Sequence, residues 1–541
     1  MRISILLLAL IPIFGIAAAQ STPSLKPGKV EGTVTSSAGG TPVKKATVTL
    51  RNLAQHFAYA GISDAAGHFL IENVQPGSYQ VAADSSGFMA VMGRPSLVKP
   101  IIVAEEQEVK DVAVKLTPLG SISGHILDAD GEPIARANVQ AMRYSYQQGR
   151  KILQPSGFGS TNDLGEYQMI DLQPGRYYLQ VTASQRIFRL PPHTRLSTPE
   201  TAYPLTFYPS GADIAQAKAM QVDAGAHIGD VDFRLKEVPS HHIRGKVVDG
   251  QTGQPVRNAS VFLSPTGTEN FFFRNFTSVQ PDGTFDIRGV INGSYSLACQ
   301  LQQAPRTSSD TLIAVADRDV EDLVLQPATA RTIAGSVTVE GTAPNSWQGM
   351  RIVLSPFDRL GRSSNAVVDS DGTFSLKDSS PNVYALSVYA GLPGKYVKSI
   401  RFGDQDVADG RLDLSVASEG KLEIVLGSDV GQLLGGVRTS SGDPAVGALL
   451  TLAPKQGGRT DLFKVTSVDQ NGNFTLKDVA PGEYMAFAWQ DVDVNMAQSP
   501  EFRKPFESKG VAVSIAPSGQ ASIQLTMISA DDVEAEKSKL P

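Results

Sequence analysis

A short pattern that occurs five times along the chain constrains its fold more than any other feature. In each copy a glycine lies two residues before an aromatic residue, which lies ten residues before a tyrosine. Spacing this constant across 541 residues indicates a tandem array of one structural module. The aromatic–tyrosine pairs are Phe69 and Tyr79, Tyr167 and Tyr177, Phe285 and Tyr295, Phe374 and Tyr384, and Phe474 and Tyr484.

The residues of this pattern predict a turn, a strand and a corner. The glycine follows polar or acidic residues and supplies the positive φ that a tight turn requires. A short alternating strand such as Phe69-x-Ile71 comes next, and a pair such as Pro76-Gly77 then turns the chain. The tyrosine after that turn resembles the tyrosine corner of β-sandwiches, whose hydroxyl group fixes the preceding loop. We therefore interpret the pattern as a folding device and not as a ligand site.

Short apolar strands separated by turn residues predict an all-β fold. Each module opens with a strand that ends in glycine, such as Val30-Glu31-Gly32, and closes with an alternating strand, such as Val112 to Leu116. We predict a tandem array of about five Greek-key β-sandwich domains, transthyretin-like, with seven strands each. Modules one to five span residues 20–117, 118–238, 239–328, 329–427 and 428–529.

Two segments depart from the regular array. The second module is about thirty residues longer than its neighbours, and the extra residues fall between Arg186 and Ala219. Their sequence predicts a long loop with a short helical turn. Residues 530–541 form a charged tail, which we expect to be frayed.

The N-terminal residues predict export. Arg2, an apolar run from Ile3 to Ile16 and the small residues before Gln20 have the character of a signal peptide spanning residues 1–19. We expect a periplasmic, outer-surface or extracellular protein. No later stretch is apolar for long enough to predict a transmembrane segment.

The formal net charge of −6 predicts no nucleic-acid partner. The single Cys299 alternates with Tyr295 and Leu297, which predicts a buried core residue and not half of a disulfide.

The repeated pattern, G-x-[VI] then G-x-P, A-x-V, D-x-x-G-x-[FY]-x-[IL] and PG-x-Y-x-[LV], resembles the carboxypeptidase regulatory-like repeat. The resemblance covers nearly all of the chain after Gln20 and is strong in the third and fifth modules. It implies transthyretin-like sandwiches, which are grouped with a carbohydrate-binding-like fold. It also implies carbohydrate as the leading class of ligand. The matched residues are turn and core residues, so they are specific for the fold and not for a function.

No pattern in the chain predicts catalysis. There is no H-E-x-x-H zinc motif and no G-x-S-x-G nucleophile elbow. We expect no enzyme activity, no catalytic residue, no cofactor and no metal. His241-His242 could bind a metal at a module junction, but a solvated linker pair is the favoured interpretation. Asp369 with Asp371, and Asp469 with Asn471, are interpreted as turn residues because they lack the further acids of a calcium loop.

Two clusters of aromatic residues are candidate ligand sites. Three adjacent phenylalanines cannot all face inward from one pleated strand, so at least one of the first cluster should be exposed or should meet another module. Exposed rings would form a stacking platform for sugars or an apolar patch for a partner. The alternative is that both clusters are ordinary packing. The clusters are Phe271, Phe272, Phe273 and Phe276 in module three, and Tyr203, Phe207 and Tyr208 in module two.

Together these features predict an exported, non-enzymatic binding or scaffold protein with a polysaccharide or a cell-surface protein as partner. The alternatives are a mechanical spacer and an accessory subunit of a bacterial outer-membrane transporter or a secreted hydrolase. The unequal loops favour binding, because a pure spacer needs neither the phenylalanine run nor the insertion.

Overall fold

The chain folds into β-sheets in every described module, and helices are short. The structure is a computed structural model. It describes residues 26–52, 57–89, 101–147, 149–183, 200–266, 275–301, 308–327, 331–341, 346–357, 363–379, 382–389, 391–407, 409–415, 420–455 and 459–539. The packing defines two compact units, Met1–Thr117 and Pro118–Pro541. The predicted class, a tandem array of all-β sandwiches, is confirmed.

The first unit contains module one, which consists of two four-stranded sheets. The strands are β1 (Gly28–Ser36), β2 (Thr47–Asn52), β3 (Phe57–Ile62), β4 (His68–Val74), β5 (Gly77–Asp84), β6 (Phe88–Met89), β7 (Ile101–Val103) and β8 (Glu108–Pro118). One sheet has the order β4-β1-β8-β6 and the other has the order β3-β2-β5-β7.

The second unit begins with module two, whose central strands are unusually long. The strands are β9 (Gly120–Leu127), β10 (Ala137–Gln147), β11 (Arg150–Ser160), β12 (Glu166–Leu172), β13 (Gly175–Ala183), β14 (Thr201–Ala202), β15 (Thr206–Phe207), β16 (Met220–Val222), β17 (His227–Ile228), β18 (Phe233–Arg234) and β19 (Val238–Pro239). The main sheets have the orders β12-β9-β17 and β11-β10-β13-β15. The helical turn predicted for the insertion is present as a 3₁₀-helix at Ile214–Gln216.

Modules three and four repeat the two-sheet plan. The strands of module three are β20 (His241–Val247), β21 (Ala259–Pro265), β22 (Asn275–Ser278), β23 (Thr284–Val290), β24 (Gly293–Leu301), β25 (Ser308–Val315) and β26 (Val320–Leu325). Those of module four are β27 (Arg331–Val339), β28 (Arg351–Pro356), β29 (Ser364–Val367), β30 (Thr373–Ser379), β31 (Val383–Tyr389), β32 (Tyr396–Phe402), β33 (Gln405–Asp406), β34 (Arg411–Asp413) and β35 (Leu422–Gly427).

Module five adds helices to the same plan. Its strands are β36 (Gly431–Arg438), β37 (Leu449–Pro454), β38 (Lys464–Ser467), β39 (Asn473–Val479), β40 (Gly482–Trp489), β41 (Val511–Ile515) and β42 (Gln520–Thr526). Its α-helices are α1 (Val494–Gln498), α2 (Pro500–Arg503) and α3 (Ala530–Lys539), and 3₁₀-helices cover Thr460–Leu462 and Lys504–Lys509. Within the described residues, no helix combines the length and the apolar character needed to cross a membrane.

The opening strand of each module lies between the motif strand and the closing strand. In module five β36 pairs antiparallel with β39 and parallel with β42. The same arrangement holds for β1, β9, β20 and β27. The strands of the two sheets alternate between buried and exposed residues, so their inner faces enclose one apolar core per module.

The opening glycine and the motif aromatic residue are cross-strand partners, which explains why both recur. Gly435 lies opposite Phe474 in the ladder. A methyl group on Gly435 would lie 2.1 Å from the carbonyl oxygen of Ile523 and 2.8 Å from the Phe474 ring. The equivalent pairs are Gly32 with Phe69, Gly124 with Tyr167, Gly245 with Phe285 and Gly335 with Phe374.

The predicted tyrosine corner is present. The hydroxyl group of Tyr484 donates a hydrogen bond of 2.8 Å to the carbonyl oxygen of Ala480, four residues earlier. Tyr79, Tyr177 and Tyr295 donate in the same way to Gln75, Gln173 and Ile291. The predicted glycine turns also have positive φ, for example 80° at Gly472.

The long hairpin of β10 and β11 was not predicted. It extends from module two to module five, where Tyr146 packs edge-on against Phe502 with 6.1 Å between ring centroids. Tyr146 is 8% exposed and belongs to an apolar cluster otherwise built by module five. Trp489, at the centre of that cluster, is fully buried and donates a hydrogen bond to Thr451. Modules two and five are therefore held together by a shared apolar core.

The expected frayed tail is instead largely helical, and this expectation was wrong. Helix α3 covers Ala530–Lys539, and its Val533 is 1% exposed within the cluster around Trp489. An ion pair of 2.7 Å between Lys509 and Asp532 ties its first turn to the preceding 3₁₀-helix. One apolar side chain among charged residues thus anchors a segment whose composition predicted disorder.

Candidate functional site

The outer face of one sheet in module three presents a paired aromatic surface. Strand β21 lies between β22 and β24, and side chains alternate between its two faces. Val261 and Leu263 are buried in the core. Ser260, Phe262 and Ser264 consequently lie on the opposite, outer face.

Phe262 and Phe276 form the centre of this surface. They are direct cross-strand partners between β21 and β22. Their rings are stacked, with centroids 5.9 Å apart and planes inclined at 29°. Phe276 is 65% exposed, although a phenylalanine ring is usually buried. The pair is an aromatic platform that is already formed in the free protein. We call it the Phe262–Phe276 platform.

Small polar side chains surround the platform. Ser260 lies opposite Ser278 on one side and opposite Gln300 on the other. Ser264 lies opposite Ser296. Hydroxyl and amide groups beside the rings can donate hydrogen bonds to a polar ligand that stacks there, and can accept hydrogen bonds from it.

The structure places only part of the predicted phenylalanine cluster. Phe271, Phe272 and Phe273 fall in 267–274, outside the described residues. Phe276 is placed on the platform, and Phe262 was missed by the sequence analysis. The alternation of Phe262 with buried Val261 and Leu263 is the signal that could have found it.

The predicted aromatic cluster of module two lies against that module's core. Phe207 is 3% exposed, so its ring is not available for stacking on a ligand. Tyr208 packs edge-on against the buried Phe233, with centroids 5.5 Å apart. Burial, together with nearby Glu237, raises the pKa of Tyr203 to about 12. A ligand-binding role stays a prediction for Tyr203 and Tyr208.

The prediction of a solvated His241-His242 pair was wrong. His242 is 7% exposed. Its Nδ1 lies 2.7 Å from Asp286 and its Nε2 lies 3.0 Å from Glu200, which belongs to module two. Burial lowers the pKa of His242, but the hydrogen bonds to Asp286 and Glu200 outweigh burial and raise it overall. The two histidines therefore belong to a packed joint between modules two and three.

Arginines complete this joint. Arg288 is 8% exposed and its Nε donates to Asp286, while Arg244 lies 3.3 Å from the same carboxylate. Burial acts to raise the pKa of Asp286, but His242, Arg244 and Arg288 together lower it. The carboxylate is therefore ionised and contacts His242, Arg244 and Arg288 at the joint.

The acids considered for calcium act as turn caps. Oδ1 of Asp371 accepts hydrogen bonds from the backbone N–H and the hydroxyl group of Thr373. Oδ1 of Asp469 accepts from the backbone N–H groups of Asn471 and Asn473. Among the residues placed by the structure, no group of three or more His, Cys, Asp or Glu side chains could hold a metal ion.

Cys299 is fully buried as predicted, and burial raises the pKa of its thiol to about 12.

Comparison with known families identifies the module. The model of the carboxypeptidase regulatory-like domain matches residues 29–117 and 242–326, which are modules one and three. The chain is a repeat protein that carries this type of domain. Among curated proteins, none matches the chain significantly.

Several solved structures resemble parts of the chain. An ancillary pilin of Streptococcus is 10% identical, with a TM-score of 0.19, and the match covers 56% of this chain and 98% of the pilin. The major pilin subunit of Bacillus cereus is 10% identical over 56% of this chain and 99% of its own, with a TM-score of 0.17. The TIE protein of Bacillus anthracis is 11% identical over 95% of this chain and 76% of its own, with a TM-score of 0.15. These scores are too low to carry an argument about function.

Proposed function

We propose that the protein is an exported, non-enzymatic scaffold that binds carbohydrate through module three. The observation that carries this proposal is the Phe262–Phe276 platform, in which two rings stack on the outer sheet face, with Phe276 65% exposed and Phe262 half-buried. The C–H faces of a sugar ring pack on an aromatic face, and its hydroxyl groups hydrogen-bond to neighbouring polar side chains. Ser260, Ser278 and Gln300 supply such side chains beside the rings.

Export is part of the proposal and has its own support. The run of apolar residues from Ile3 to Ile16, followed by small residues up to Ala19, is typical of a cleaved signal peptide. Expression in a secreting host should give a protein that begins at Gln20. Mass spectrometry of the exported protein measures this directly, and an uncleaved chain retained in the cytoplasm would contradict it.

The binding proposal is tested by retention on insoluble polysaccharides. The full chain, Phe276→Ser and a variant with Phe271, Phe272 and Phe273 changed to serine are passed over a panel of polysaccharides. Phe158→Ser is the matched control, because Phe158 is also an exposed phenylalanine (57%) but lies in module two. We expect Phe276→Ser to abolish retention and Phe158→Ser to leave it unchanged, with melting temperatures unchanged in both.

The other outcomes favour other functions. Equal retention of the full chain and Phe276→Ser would place binding away from the platform. No retention on any polysaccharide would reject carbohydrate binding and would favour a spacer or an accessory subunit that contacts a protein partner.

A further inference from the structure

A cavity of about 240 Å³ lies where modules two, four and five meet in the second unit. Arg150, next to the turn of the β10–β11 hairpin, forms one wall. Phe357 and Asp409 of module four form the second, and Arg459, Phe463 and Arg503 of module five form the third. The lining of the cavity thus includes three arginines, one aspartate and two phenylalanines.

Two of these arginines are fixed by their surroundings. The guanidinium carbon of Arg150 lies 4.0 Å above the centroid of the Phe357 ring. Arg459 donates from Nε and Nη2 to the two oxygens of Asp461, both at 2.8 Å, and also donates to the carbonyl oxygen of Val397. Rigid guanidinium groups are suited to recognition of a planar carboxylate, because little side-chain entropy is lost on binding.

Arg503 differs from Arg459 in its hydrogen-bond partner. Its Nη1 donates to the carbonyl oxygen of Ala497 at 2.7 Å. Among the described residues no carboxylate lies within the 4.0 Å of an ion pair with it. Burial lowers the pKa of Arg503 to about 10, and the more distant Glu507 opposes this only in part. A half-buried guanidinium group of this kind gains stability when an anion enters the cavity.

We propose that this cavity binds a monosaccharide-sized hydroxy acid, a uronate, with its carboxylate on Arg503 and Arg150. The presence of Asp409 favours this ligand over a bare or doubly charged anion. One oxygen of Asp409 accepts the backbone N–H of Arg411, and the carboxylate can also accept a hydrogen bond from a sugar hydroxyl group. A sulfate ion has no hydroxyl group to offer and would be repelled by the Asp409 charge. The apolar edges of Phe357 and Phe463 suit the sugar ring.

This site is separate from the Phe262–Phe276 platform, and neither proposal depends on the other. The binding assay uses the full chain and isothermal titration calorimetry with D-glucuronate and D-galacturonate as probes. Glucose is the uncharged control and sodium sulfate is the control for a bare anion. We expect one uronate to bind per chain, and no binding of glucose or sulfate under the same conditions.

Variants locate the site. Arg503→Gln removes a charge-assisted hydrogen bond and should weaken uronate binding about tenfold or more. Arg150→Gln should do the same from the opposite wall while leaving the bond between Arg503 and Ala497 intact, so it decides the matter if Arg503→Gln fails to fold. Arg438→Gln is the matched control, because Arg438 is an exposed arginine of module five outside the cavity.

Three results would overturn the proposal. The first is no uronate binding by the full chain at millimolar concentration. The second is sulfate binding as tight as uronate binding, which would make the cavity a simple anion site. The third is uronate binding that both Arg503→Gln and Arg150→Gln retain at full affinity, which would place the ligand elsewhere on the chain.

Discussion

The hydroxyl group of Tyr484 is buried and has the carbonyl oxygen of Ala480 as its acceptor. Tyr484→Phe leaves that carbonyl without its partner and should lower the free energy of unfolding of module five by about 1 kcal/mol. Hydrogen exchange under denaturant, measured on peptides from module five, gives this value. Tyr389→Phe is the control, because the Tyr389 ring is 56% exposed and its change should have no measurable effect. If the two variants lower the free energy of unfolding equally, the hydrogen bond of Tyr484 does not stabilise module five.

The charge of His242 should make the joint between modules two and three depend on pH. Its pKa is raised in the folded protein, because the hydrogen bonds to Asp286 and Glu200 outweigh burial and the repulsion from Arg244. The stabilising contribution is therefore complete below the unfolded pKa of about 6.5. It is lost as pH rises through the higher folded pKa.

Denaturation midpoints measured from pH 5 to pH 9 should therefore fall over that interval for the joint between these modules. His242→Gln cannot be protonated, so the fall should disappear in that variant while the baseline stability also drops. A midpoint in His242→Gln that follows the same pH profile as the parent would assign the titration to another group.

Structural roles that depend only on nearby residues in the sequence were predictable. The tyrosine bonds to the fourth residue before it, and the motif glycine supplies its own positive φ. The buried state of Cys299 followed from alternation along one strand. His242 was not predictable, because Asp286 lies 44 residues away and the second carboxylate, Glu200, belongs to another module. Nothing beside His242 in the sequence indicates that two carboxylates surround it.

At the scale of the element, the β10–β11 hairpin depends on close approach at its turn. Gly149 has φ of 74°, and a methyl group there would lie 2.9 Å from the carbonyl oxygen of Gln498 at the end of α1. Gly149→Ala should therefore add a steric cost of roughly 1 kcal/mol or more to the cost of positive φ. Hydrogen exchange in the hairpin turn and in α1 should speed up together.

The variant Gly131→Ala separates the steric cost from the cost of positive φ. Gly131 is also in module two and has φ of 89°, but no atom lies within 4 Å of the added methyl group. It should bear the backbone strain alone and leave exchange in α1 unchanged. If Gly131→Ala and Gly149→Ala accelerate exchange in α1 equally, the hairpin turn does not dock on that helix.

At the candidate site, too, contacts between elements that are distant in the sequence could not be predicted. Alternation along β21 could have indicated that Phe262 faces outward, but its pairing with Phe276 depends on the register of two strands joined by a loop. The contact of Tyr146 with Phe502 joins residues in different modules, and no local periodicity encodes it. The cavity lined by Arg150, Arg459 and Arg503 was beyond sequence analysis for this reason.

At the scale of the whole molecule, module five should protect module two. Tyr146 is buried almost entirely by side chains of module five. A chain that ends at Gly427 lacks those side chains and should expose the hairpin. Trypsin should then cleave after Arg150 or Lys151 much faster than in the full chain, as measured by mass spectrometry over a time course. Equal cleavage rates in the two chains would show that module two holds its hairpin without module five.

The parallel pairing of each module's first and last strands determines how it responds to tension. Strand β36 runs parallel to β42, and β1 is likewise parallel to β8. The chain consequently enters each module at one end of this pair and leaves at the other. A force that pulls on both termini must slide the two strands past each other, so that the bonds of the ladder share the load and do not break singly. Each sandwich can thus resist tension without a disulfide to reinforce it.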